Sequence, residues 1–436
     1  MKGIDKHAAK LLQTAIKAHQ AGELKAARSG YEKVLAIRPA DPDALHYYGV
    51  LQHHLGRSAE GAASIRRSLN AAPNNAHAWL NLGNILLEEE KSGEARVAYE
   101  RSVAIAPELA DAWYNLGICL RKMEDPSGAI GALNRAIAAR GNHAPSHYQR
   151  AIAHREAGDF DAAETDFRLA LALKPDYVEV YESLGMLLYR QDRIPDAAKI
   201  YKAWVQIDPS SSTAAHLAAA SSGEATPERG SDAYVTETFD RFAATFDQNL
   251  ANLGYRAPQL VTGALRDLVG DDRMLECILD AGCGTGLCGA LLRPFSRRLV
   301  GVDLSSGMID VARAKGHYDE LAVGELVAFM RGFRDAFDAV VSADTFVYFG
   351  ALDEGFAAAA RCLKRPGRLI LTLERMAETL PGNYHLEPNG RYTHRLDYVR
   401  RTLGGAGFGQ VHSDDQVLRR EKGADVRGLV IAATIA

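Results

Sequence analysis

The first half of the chain has a hydrophobic pattern that repeats every 34 residues. Pro39 and Pro73 begin a series of prolines with this spacing, and Gly141 fills the one slot that lacks a proline. Small residues recur in phase at one position of each unit: Ala15, Gly49, Gly83, Gly117, Ala151 and Gly185. A period of this length indicates helix pairs that stack into a solenoid, with small residues where two helices approach closely. We therefore predict six repeats over residues 8–211.

A different pattern follows residues 212–232, which have the composition of a helical cap and then a linker. From residue 233 onward, short apolar runs alternate with segments of helical period, which predicts a parallel sheet covered by helices. The expected strands are 276–281, 298–303, 321–324, 337–344 and 367–373, with a final antiparallel pair at 410–413 and 426–432. The expected helices are 234–250, 258–269, 285–293, 307–315 and 353–363.

Composition narrows the class of protein. A chain of 436 residues, 47% hydrophobic and 24% charged, is typical of a soluble protein with two domains. The net charge of −4 gives no electrostatic support for a nucleic-acid partner. The beginning of the chain lacks a signal-peptide pattern, and no apolar run reaches about 18 residues, so we expect a cytoplasmic protein without a membrane span. The five cysteines form no metal-binding pattern, which predicts reduced thiols and no metal.

The most informative motif ends the first predicted strand of the second half. Residues 279–286 read Leu-Asp-Ala-Gly-Cys-Gly-Thr-Gly, and the next apolar run ends at Asp303. Glycines at such a place let the backbone approach a ligand closely, and an acid at the end of the next strand can accept hydrogen bonds from ribose hydroxyls. The motif therefore predicts a nucleotide-type ligand at this edge of the sheet.

Two ligand classes fit this loop. The dinucleotide pattern G-x-G-x-x-G can be laid over Gly284, Gly286 and Gly289, which would make the protein an NAD(P)-binding oxidoreductase. However, Asp280 lies at the strand end with Gly282 opening the turn, and a carboxylate there would repel a diphosphate. The pattern acid-x-Gly-x-Gly-x-Gly resembles motif I of class I S-adenosylmethionine-dependent methyltransferases, whose zwitterionic methionine tail tolerates a nearby carboxylate.

Resemblances extend over nearly the whole chain. The 34-residue period is similar to that of tetratricopeptide repeats, and residues 318–321, 343–350 and 390–394 resemble a bacterial group of predicted methyltransferases that carry such repeats. This resemblance implies an α-solenoid followed by an α/β Rossmann-like methyltransferase domain over residues 233–436, with a terminal antiparallel strand pair. It also implies S-adenosylmethionine as methyl donor, S-adenosylhomocysteine as product, and no metal.

The resemblance further implies a set of cofactor residues. Asp303 would hold the ribose, unless it only caps the following helix, and Phe239–Asp247 is similar to a segment that closes over cofactor and substrate. Met308 is equally suited to the core, and Cys283 to filling the loop as a small residue. The implied set is Asp280, Ala281, Gly282, Cys283, Gly284, Gly286, Asp303, Leu304, Ser305, Met308, Glu325, Leu326 and Asp344, with Phe242 and Phe246 as lid residues.

The methyl acceptor is expected beyond the fourth and fifth strands. Methyl transfer is an in-line displacement in which positioning supplies most of the help. A hydroxyl or ammonium acceptor also needs a base, whereas a carboxylate acceptor needs none. The preferred base is His394, since histidine titrates near neutral pH, and the other candidates are Asp344, Tyr348 and His385. The expected acceptor contacts are Tyr348, Tyr384, Arg391 and Tyr392.

The groove of the solenoid offers a second site. Asn81, Asn115 and Gln149 occupy the same position in successive repeats, so their amides could pair with a peptide backbone, and Arg121 and Arg155 could add positive charge. Alternatively, the array is a scaffold for rigidity or homo-oligomerisation. A catalytically inactive methyltransferase fold that serves as an interaction scaffold also stays open, and the acceptor is unknown.

Overall fold

The computed structural model describes residues 2–223, 226–270, 274–421 and 423–435, with only the backbone of residues 2–4. The chain forms two compact units, one up to Leu184 and one from Gly185 onward. Residues 224 and 225 of the predicted linker lie outside the described residues, so the predicted domain bounds stay a prediction. None of the described helices combines the length and apolarity that a bilayer crossing requires.

The first unit consists of helix pairs with the predicted period. Its helices are α1 (Lys2–Gln20), α2 (Leu24–Ile37), α3 (Pro42–His54), α4 (Ser58–Ala71), α5 (Ala76–Glu88), α6 (Ser92–Ile105), α7 (Ala110–Lys122), α8 (Pro126–Ala139), α9 (Ala144–Glu156) and α10 (Phe160–Leu173). The division between the two units falls within α11 (Val178–Arg190). The predicted α-solenoid is confirmed.

Proline and aromatic positions of the period contact each other. Trp79 Nε1 donates to the carbonyl oxygen of Pro73 at 2.8 Å, and the same contact recurs one period later. A Cβ added to Gly83 would lie 2.6 Å from the Tyr99 ring, so only glycine allows these helices to pack at their observed separation. The 34-residue period therefore has two structural causes: the contact between a proline carbonyl and a tryptophan, and the close approach of two helices at a glycine.

The second unit begins with helices that precede the sheet. They are α12 (Ile194–Ile207), α13 (Ser212–Ser222), α14 (Asp232–Phe242), α15 (Phe246–Asn252) and α16 (Ala257–Val269). The prediction of one helix over 234–250 is wrong, because a 3₁₀ turn over Ala243–Thr245 separates α14 from α15. Three residues of 3₁₀ structure barely change the hydrophobic period, so the pattern did not reveal the break.

Helix α13 occupies part of the stretch for which we predicted a cap and a linker. It packs against α12 and α14. Thr213 Oγ1 donates to Glu237 of α14 at 2.8 Å, and His216 Nε2 lies 2.9 Å from the carbonyl oxygen of Gly390. The helix is therefore bound to elements that surround the pocket of this unit.

Within the described residues the sheet has nine strands. They are β1 (Leu275–Ala281), β2 (Ser296–Asp303), β3 (Glu320–Val323), β4 (Phe337–Ser342), β5 (Leu363–Arg375), β6 (Tyr384–Leu386), β7 (Tyr392–His394), β8 (Phe408–Glu421) and β9 (Ala424–Ile435). Strands 3-2-1-4-5 are parallel, and β9 adds antiparallel to β5 with β8 outside it. The predicted α/β class with a terminal antiparallel pair is confirmed.

Helices cover both faces of this sheet, where the buried apolar side chains form the core. They are α17 (Gly289–Leu292), α18 (Ser306–Lys315), α19 (Leu326–Arg331), α20 (Asp353–Cys362) and α21 (Leu396–Gly405), with 3₁₀ turns at Arg293–Phe295 and Phe346–Tyr348. The predicted helix 285–293 is much shorter in the structure, because the loop before it contains Gly286 with φ of +83°. Strands β6 and β7 pair as a hairpin within the segment after the fifth strand, where no strand was predicted.

Candidate functional site

A pocket lies at the carboxyl ends of β1, β2 and β4, where the topology of a parallel sheet leaves a crevice. Members of the predicted cofactor set that line it are Gly282, Cys283, Gly284, Asp303, Leu304, Met308, Glu325, Leu326, Asp344 and Phe246. The wall also contains residues that we did not predict, among them Arg229, Tyr255, Thr285, Thr345 and Arg419.

Other members of the predicted set lie behind the wall or outside it. Asp280 and Ala281 are fully buried in β1. Ser305 caps α18, with its Oγ accepting from the backbone N–H of Met308 at 3.0 Å. Phe242 is 42% exposed and does not belong to the described lining of the pocket. Gly286 is likewise absent from that lining.

Backbone contacts hold the glycine loop against β2. The N–H groups of Gly282 and Cys283 donate to the carbonyl oxygen of Val302 at 2.9 and 3.0 Å, and Gly284 N donates to Asp303 Oδ2 at 2.9 Å. A Cβ added to Gly284 would meet only an edge atom of Phe246 at 4.0 Å. Gly284 therefore borders open space, and its backbone is accessible to a ligand.

Two carboxylates at the ends of β1 and β2 have neutral partners. Asp280 Oδ2 accepts from the hydroxyl of Tyr318 at 2.6 Å, while its buried Oδ1 has no hydrogen-bond partner among the residues that the structure describes. Asp303 accepts from the backbone N–H groups of Gly284 and Ser305. Burial raises the pKa of Asp280 to about 7 and also raises the pKa of Asp303, and each carboxylate lies in the field of other acids. This part of the pocket therefore favours a positively charged ligand and disfavours a diphosphate.

The opposite end of the pocket contains a paired charge cluster. The side chain of Arg419 is 1% exposed, and its Nη1 and Nε donate to Asp344 at 3.0 Å and Glu421 at 2.6 Å, while Nη2 contacts Glu374. Arg391 donates to Glu421 at 2.7 Å. Burial acts to raise the pKa of Glu421, but the two guanidinium groups lower it to about 2. We name these five residues the charge cluster.

The sequence did not reveal Arg419, Glu374 or Glu421. Arg419 stands next to Arg420, which is exposed, and both belong to the same strand. The charge pattern alone does not distinguish an inward arginine from an outward one. Only the pairing of β8 with β9, and of β9 with β5, brings Arg419 to the pocket.

The base candidates separate into two groups. Asp344, at φ of +55°, and Tyr348 line the pocket, and the Tyr348 ring packs edge to face on Phe239 at 5.4 Å. His394 is fully buried, its Nε2 lies 3.1 Å from the carbonyl oxygen of Gly350, and burial lowers its pKa to about 4. His394 does not belong to the described lining, and neither does His385 of β6. The geometry thus favours Asp344 and Tyr348 over the preferred histidine.

Some of the residues predicted to contact the acceptor line the pocket, and others do not. Tyr348 and Arg391 line the pocket. Tyr392 is buried and donates its hydroxyl to the carbonyl oxygen of Pro227 at 2.7 Å, and its ring lies 6.0 Å from that of Tyr384. Neither Tyr384 nor Tyr392 belongs to the described lining, and their contacts are those of packing residues in the hairpin.

Helices α14 and α15 form one wall of the pocket, and two aspartates attach them to the loops around it. Asp240 Oδ1 accepts from Ser305 Oγ at 2.5 Å and from Gly307 N at 3.0 Å. Asp247 accepts from Thr285 Oγ1 and pairs with Lys315 Nζ, both at 2.5 Å. We call residues 232–252 the lid segment. The aromatic residues of this segment were predicted to act as a lid, but its two aspartates were not predicted, although their spacing of seven residues is visible in the sequence.

In the first unit, the predicted groove residues contact each other or their neighbours. Asn115 Nδ2 donates to Asn84 Oδ1 at 2.8 Å, and Arg121 Nη1 donates to Gln149 Oε1 at 2.6 Å. Arg121 also pairs with Glu156, which offsets its positive charge. Asn81 Nδ2 lies 2.8 Å from His46 Nε2, and Arg155 is half-buried. The amides thus have internal partners, although each retains further hydrogen-bonding capacity.

Comparisons with known proteins agree with this architecture. A family model described as a methyltransferase domain matches residues 279–371. Two models of tetratricopeptide repeats match residues 8–76, 56–110 and 148–212, and residues 86–154. The chain therefore contains tetratricopeptide repeats followed by a methyltransferase domain.

Curated relatives match only parts of the chain. Methyltransferase-like protein 27 of Homo sapiens is 43% identical over 86 residues, which is 20% of this chain and 35% of that protein. The malonyl-[acyl-carrier protein] O-methyltransferase of Geobacter sulfurreducens is 36% identical over 154 residues, 32% of this chain and 58% of its own length. The solved structure of pilF from Pseudomonas aeruginosa covers 48% of this chain and 95% of its own, at 19% identity and a TM-score of 0.43.

Proposed function

We propose that the protein transfers a methyl group from S-adenosylmethionine to an acceptor bound at the charge-cluster end of the pocket. The carrying observation is the pair of carboxylates, Asp280 and Asp303, whose hydrogen-bond partners are neutral. The cofactor carries a positively charged sulfonium and an ammonium group, which these carboxylates would attract. The open space beside Gly284 also fits such a ligand, and Asp280 adds negative charge behind the pocket wall, where its Oδ1 has no partner among the described residues.

Residues at the three strand ends would hold the cofactor. Asp303 would accept hydrogen bonds from ribose hydroxyls, while Met308 and Leu326 would contact the adenine. When bound, S-adenosylmethionine supplies an electrophilic methyl group on a positively charged sulfur. Phe239 and Phe246 of the lid segment would exclude water from the pocket, which supports the reaction because the positive charge on sulfur disperses in the transition state.

The acceptor would lie near Asp344 and Tyr348. Both residues line the pocket after β4, and we propose that they orient the acceptor and that, for a hydroxyl or ammonium group, the carboxylate of Asp344 receives its proton. Arg391 has the chemistry to bind an anionic group of the acceptor. One relative is named for O-methylation of malonyl-[acyl-carrier protein], so a carrier-bound acceptor is included with small-molecule and protein acceptors.

Titration calorimetry on the full chain tests the donor. We expect S-adenosylmethionine and S-adenosylhomocysteine to bind and NAD not to bind. Asp303→Ala should weaken binding by at least about 100-fold, because it removes both the ribose partner and the acceptor for Gly284 N. Asp310→Ala is a matched control, since Asp310 lies on α18 and pairs with Arg313 on the exposed surface.

The alternatives predict other results in the same experiment. Binding of NAD without S-adenosylmethionine would favour the oxidoreductase. No binding of either cofactor would favour an inactive scaffold. No observation in the pocket favours a diphosphate, because the partners of Asp280 and Asp303 leave their negative charge uncompensated.

We further propose that the repeats recruit the acceptor or its carrier. A labelled methyl group followed into protein and small-molecule fractions of a lysate identifies the acceptor class. If label enters protein, a groove variant with Asn81→Ala and Asn115→Ala should reduce that labelling without changing cofactor affinity. Equal labelling by the groove variant would contradict recruitment, and light scattering of the purified chain would then test the alternative of oligomerisation.

A further inference from the structure

The ring of Tyr318 occupies a slot formed by three glycines. Tyr318 lies in the loop between α18 and β3. A Cβ added to Gly286 would lie 3.0 Å from this ring, a Cβ on Gly289 would lie 2.7 Å from it, and one on Gly301 would lie 3.0 Å from it. These glycines come from the glycine loop, from the start of α17 and from β2. A side chain at Gly289 would therefore displace the ring, and one at Gly286 or Gly301 would crowd it.

The hydroxyl of Tyr318 reaches the end of β1. It donates to Asp280 Oδ2 at 2.6 Å, and Asp280 is fully buried. Without this contact neither oxygen of the carboxylate would have a hydrogen-bond partner in the described part of the chain, because Oδ1 already has none there. Burying a polar group without a hydrogen-bond partner costs folding free energy. The hydrogen bond from Tyr318 therefore fixes the position of the Asp280 carboxylate.

The hydrogen bond fixes the carboxylate without neutralising it. A lysine or arginine in place of Tyr318 would form an ion pair with Asp280 and cancel its charge. A phenylalanine would fill the slot but would donate no hydrogen bond. Tyrosine combines a ring that fills the slot with a neutral donor at its far end.

We propose that Tyr318 is a positioning residue for the cofactor: it holds Asp280 in place by a neutral hydrogen bond and keeps negative charge beneath the glycine loop. This inference rests on the proposed function. It divides the glycine motif into two parts: Gly282 and Gly284 line the pocket, whereas Gly286 and Gly289 accommodate the ring of Tyr318. Gly289, the third glycine of the dinucleotide pattern, thus makes room for the side chain of Tyr318 and not for a diphosphate.

A double-mutant cycle tests the slot. Gly289→Ala in the natural chain should displace the ring and weaken binding of S-adenosylhomocysteine by about 10-fold. In a Tyr318→Ala background, where the ring is absent, the same change should alter affinity by less than about 2-fold. If Gly289 instead contacts the ligand directly, Gly289→Ala would cost the same factor in both backgrounds, and the inference would be wrong.

Tyr318→Phe tests the hydroxyl with the slot still filled. The groups that face Asp280 or Tyr318 are Asp303, Cys283 and Cys288, and the Tyr318 hydrogen bond acts to lower the pKa of Asp280. Affinity for the positively charged cofactor should rise as Asp280 loses its proton, and this midpoint should move to higher pH in Tyr318→Phe. Asp280→Asn should remove this part of the pH dependence.

The outcomes are distinguishable from failure of the proposed function. If the natural chain binds neither S-adenosylmethionine nor S-adenosylhomocysteine, the proposed function fails first. If it binds them and Tyr318→Phe shows the same affinity and the same pH midpoint, the positioning role is wrong. A uniform loss of affinity at every pH, with an unchanged midpoint, would indicate a purely structural tyrosine and would also contradict the proposal.

Discussion

Polar side chains of the repeat unit differ from those that surround the glycine loop. In the repeats, Asn115 donates to Asn84, and Arg150 pairs through two nitrogens with the buried Asp166. At the glycine loop, Asp280 and Asp303 receive hydrogen bonds, within the described part of the chain, only from a tyrosine and from backbone N–H groups. The charges of Arg150 and Asp166 therefore match each other, whereas Asp280 and Asp303 leave negative charge that a ligand can match.

Polar residues that are paired within the protein stabilise the fold, whereas carboxylates without a cationic partner are suited to bind a ligand. A matched pair gains little from another molecule, because its partner already satisfies it. A carboxylate with neutral partners keeps its field once it has lost its proton. Burial makes that field stronger, although it also raises the pKa of the carboxyl group. The charge cluster around Arg419 lies between these cases, since it lines the pocket but is largely matched internally.

The largest expected effect concerns the charge cluster. Arg419→Leu should destabilise the protein by about 3–5 kcal/mol, because it leaves Asp344, Glu374 and Glu421 together without their shared cation. Urea unfolding measures this loss. The neighbouring Arg420→Leu is the control, since Arg420 pairs with Asp425 on the surface, and it should change stability by less than about 1 kcal/mol. Equal effects would show that the cluster is no more than a surface ion pair.

The second effect concerns Asp280 and pH. Its folded pKa of about 7 lies above the unfolded value of 3.8, so the native state binds the proton more tightly. Burial of this carboxyl group therefore does not destabilise the native state below about pH 4, where both states bind the proton. The free energy of unfolding should then decline by a few kcal/mol as pH rises towards 7. Asp280→Asn should remove this decline, as measured by unfolding at a series of pH values. Parallel stability curves for the two proteins would contradict the buried, uncompensated carboxylate.

A smaller effect is expected in the lid segment. Asp240→Ala and Asp247→Ala should each weaken S-adenosylhomocysteine binding by about 3- to 10-fold, because both aspartates attach the lid segment to loops around the pocket through mostly part-buried contacts. Calorimetry and hydrogen exchange of residues 232–252 measure the two consequences. Asp240→Asn should recover part of the loss, since its amide oxygen still accepts from Gly307 N. Phe242→Ala, which alters an exposed ring outside the pocket, should have almost no effect.

The smallest effect is expected in the repeats. Asn115→Ala removes one side-chain hydrogen bond to Asn84 and should cost about 1 kcal/mol of stability. Cofactor affinity should not change. A large loss of cofactor binding in this variant would overturn the division between matched and unmatched polar groups.

The local pattern of hydrophobic and polar residues was sufficient to predict the architecture. The 34-residue period required helix pairs, and the alternation of apolar runs with helical segments required a parallel sheet. The glycine loop and Asp303 were also visible, because glycine and an acid at successive strand ends are local features. The break in the lid segment and the hairpin β6–β7 were not visible, since a three-residue turn and three-residue strands leave almost no periodic signal.

The candidate site depended more strongly on distant contacts. His394 looked like a base because histidine has a suitable ordinary pKa, but burial lowers its pKa to about 4 and gives it a backbone partner. Arg419 lies beyond the strand predicted at 410–413 and was not distinguished from other arginines, and strand pairing brought it to Asp344 across 75 residues of sequence. Burial and pairing are properties of the folded chain, and neither can be read from residue type.

The sequence by itself determined the repeat array, the order of the longer strands in the sheet, and the glycine loop, because each follows from spacing along the chain. Tertiary structure decided which of those glycines borders open space and which makes room for Tyr318. It also decided which acids have cationic partners. The physical reason is that a residue's charge is fixed by its type, but the compensation of that charge depends on neighbours that only folding brings together.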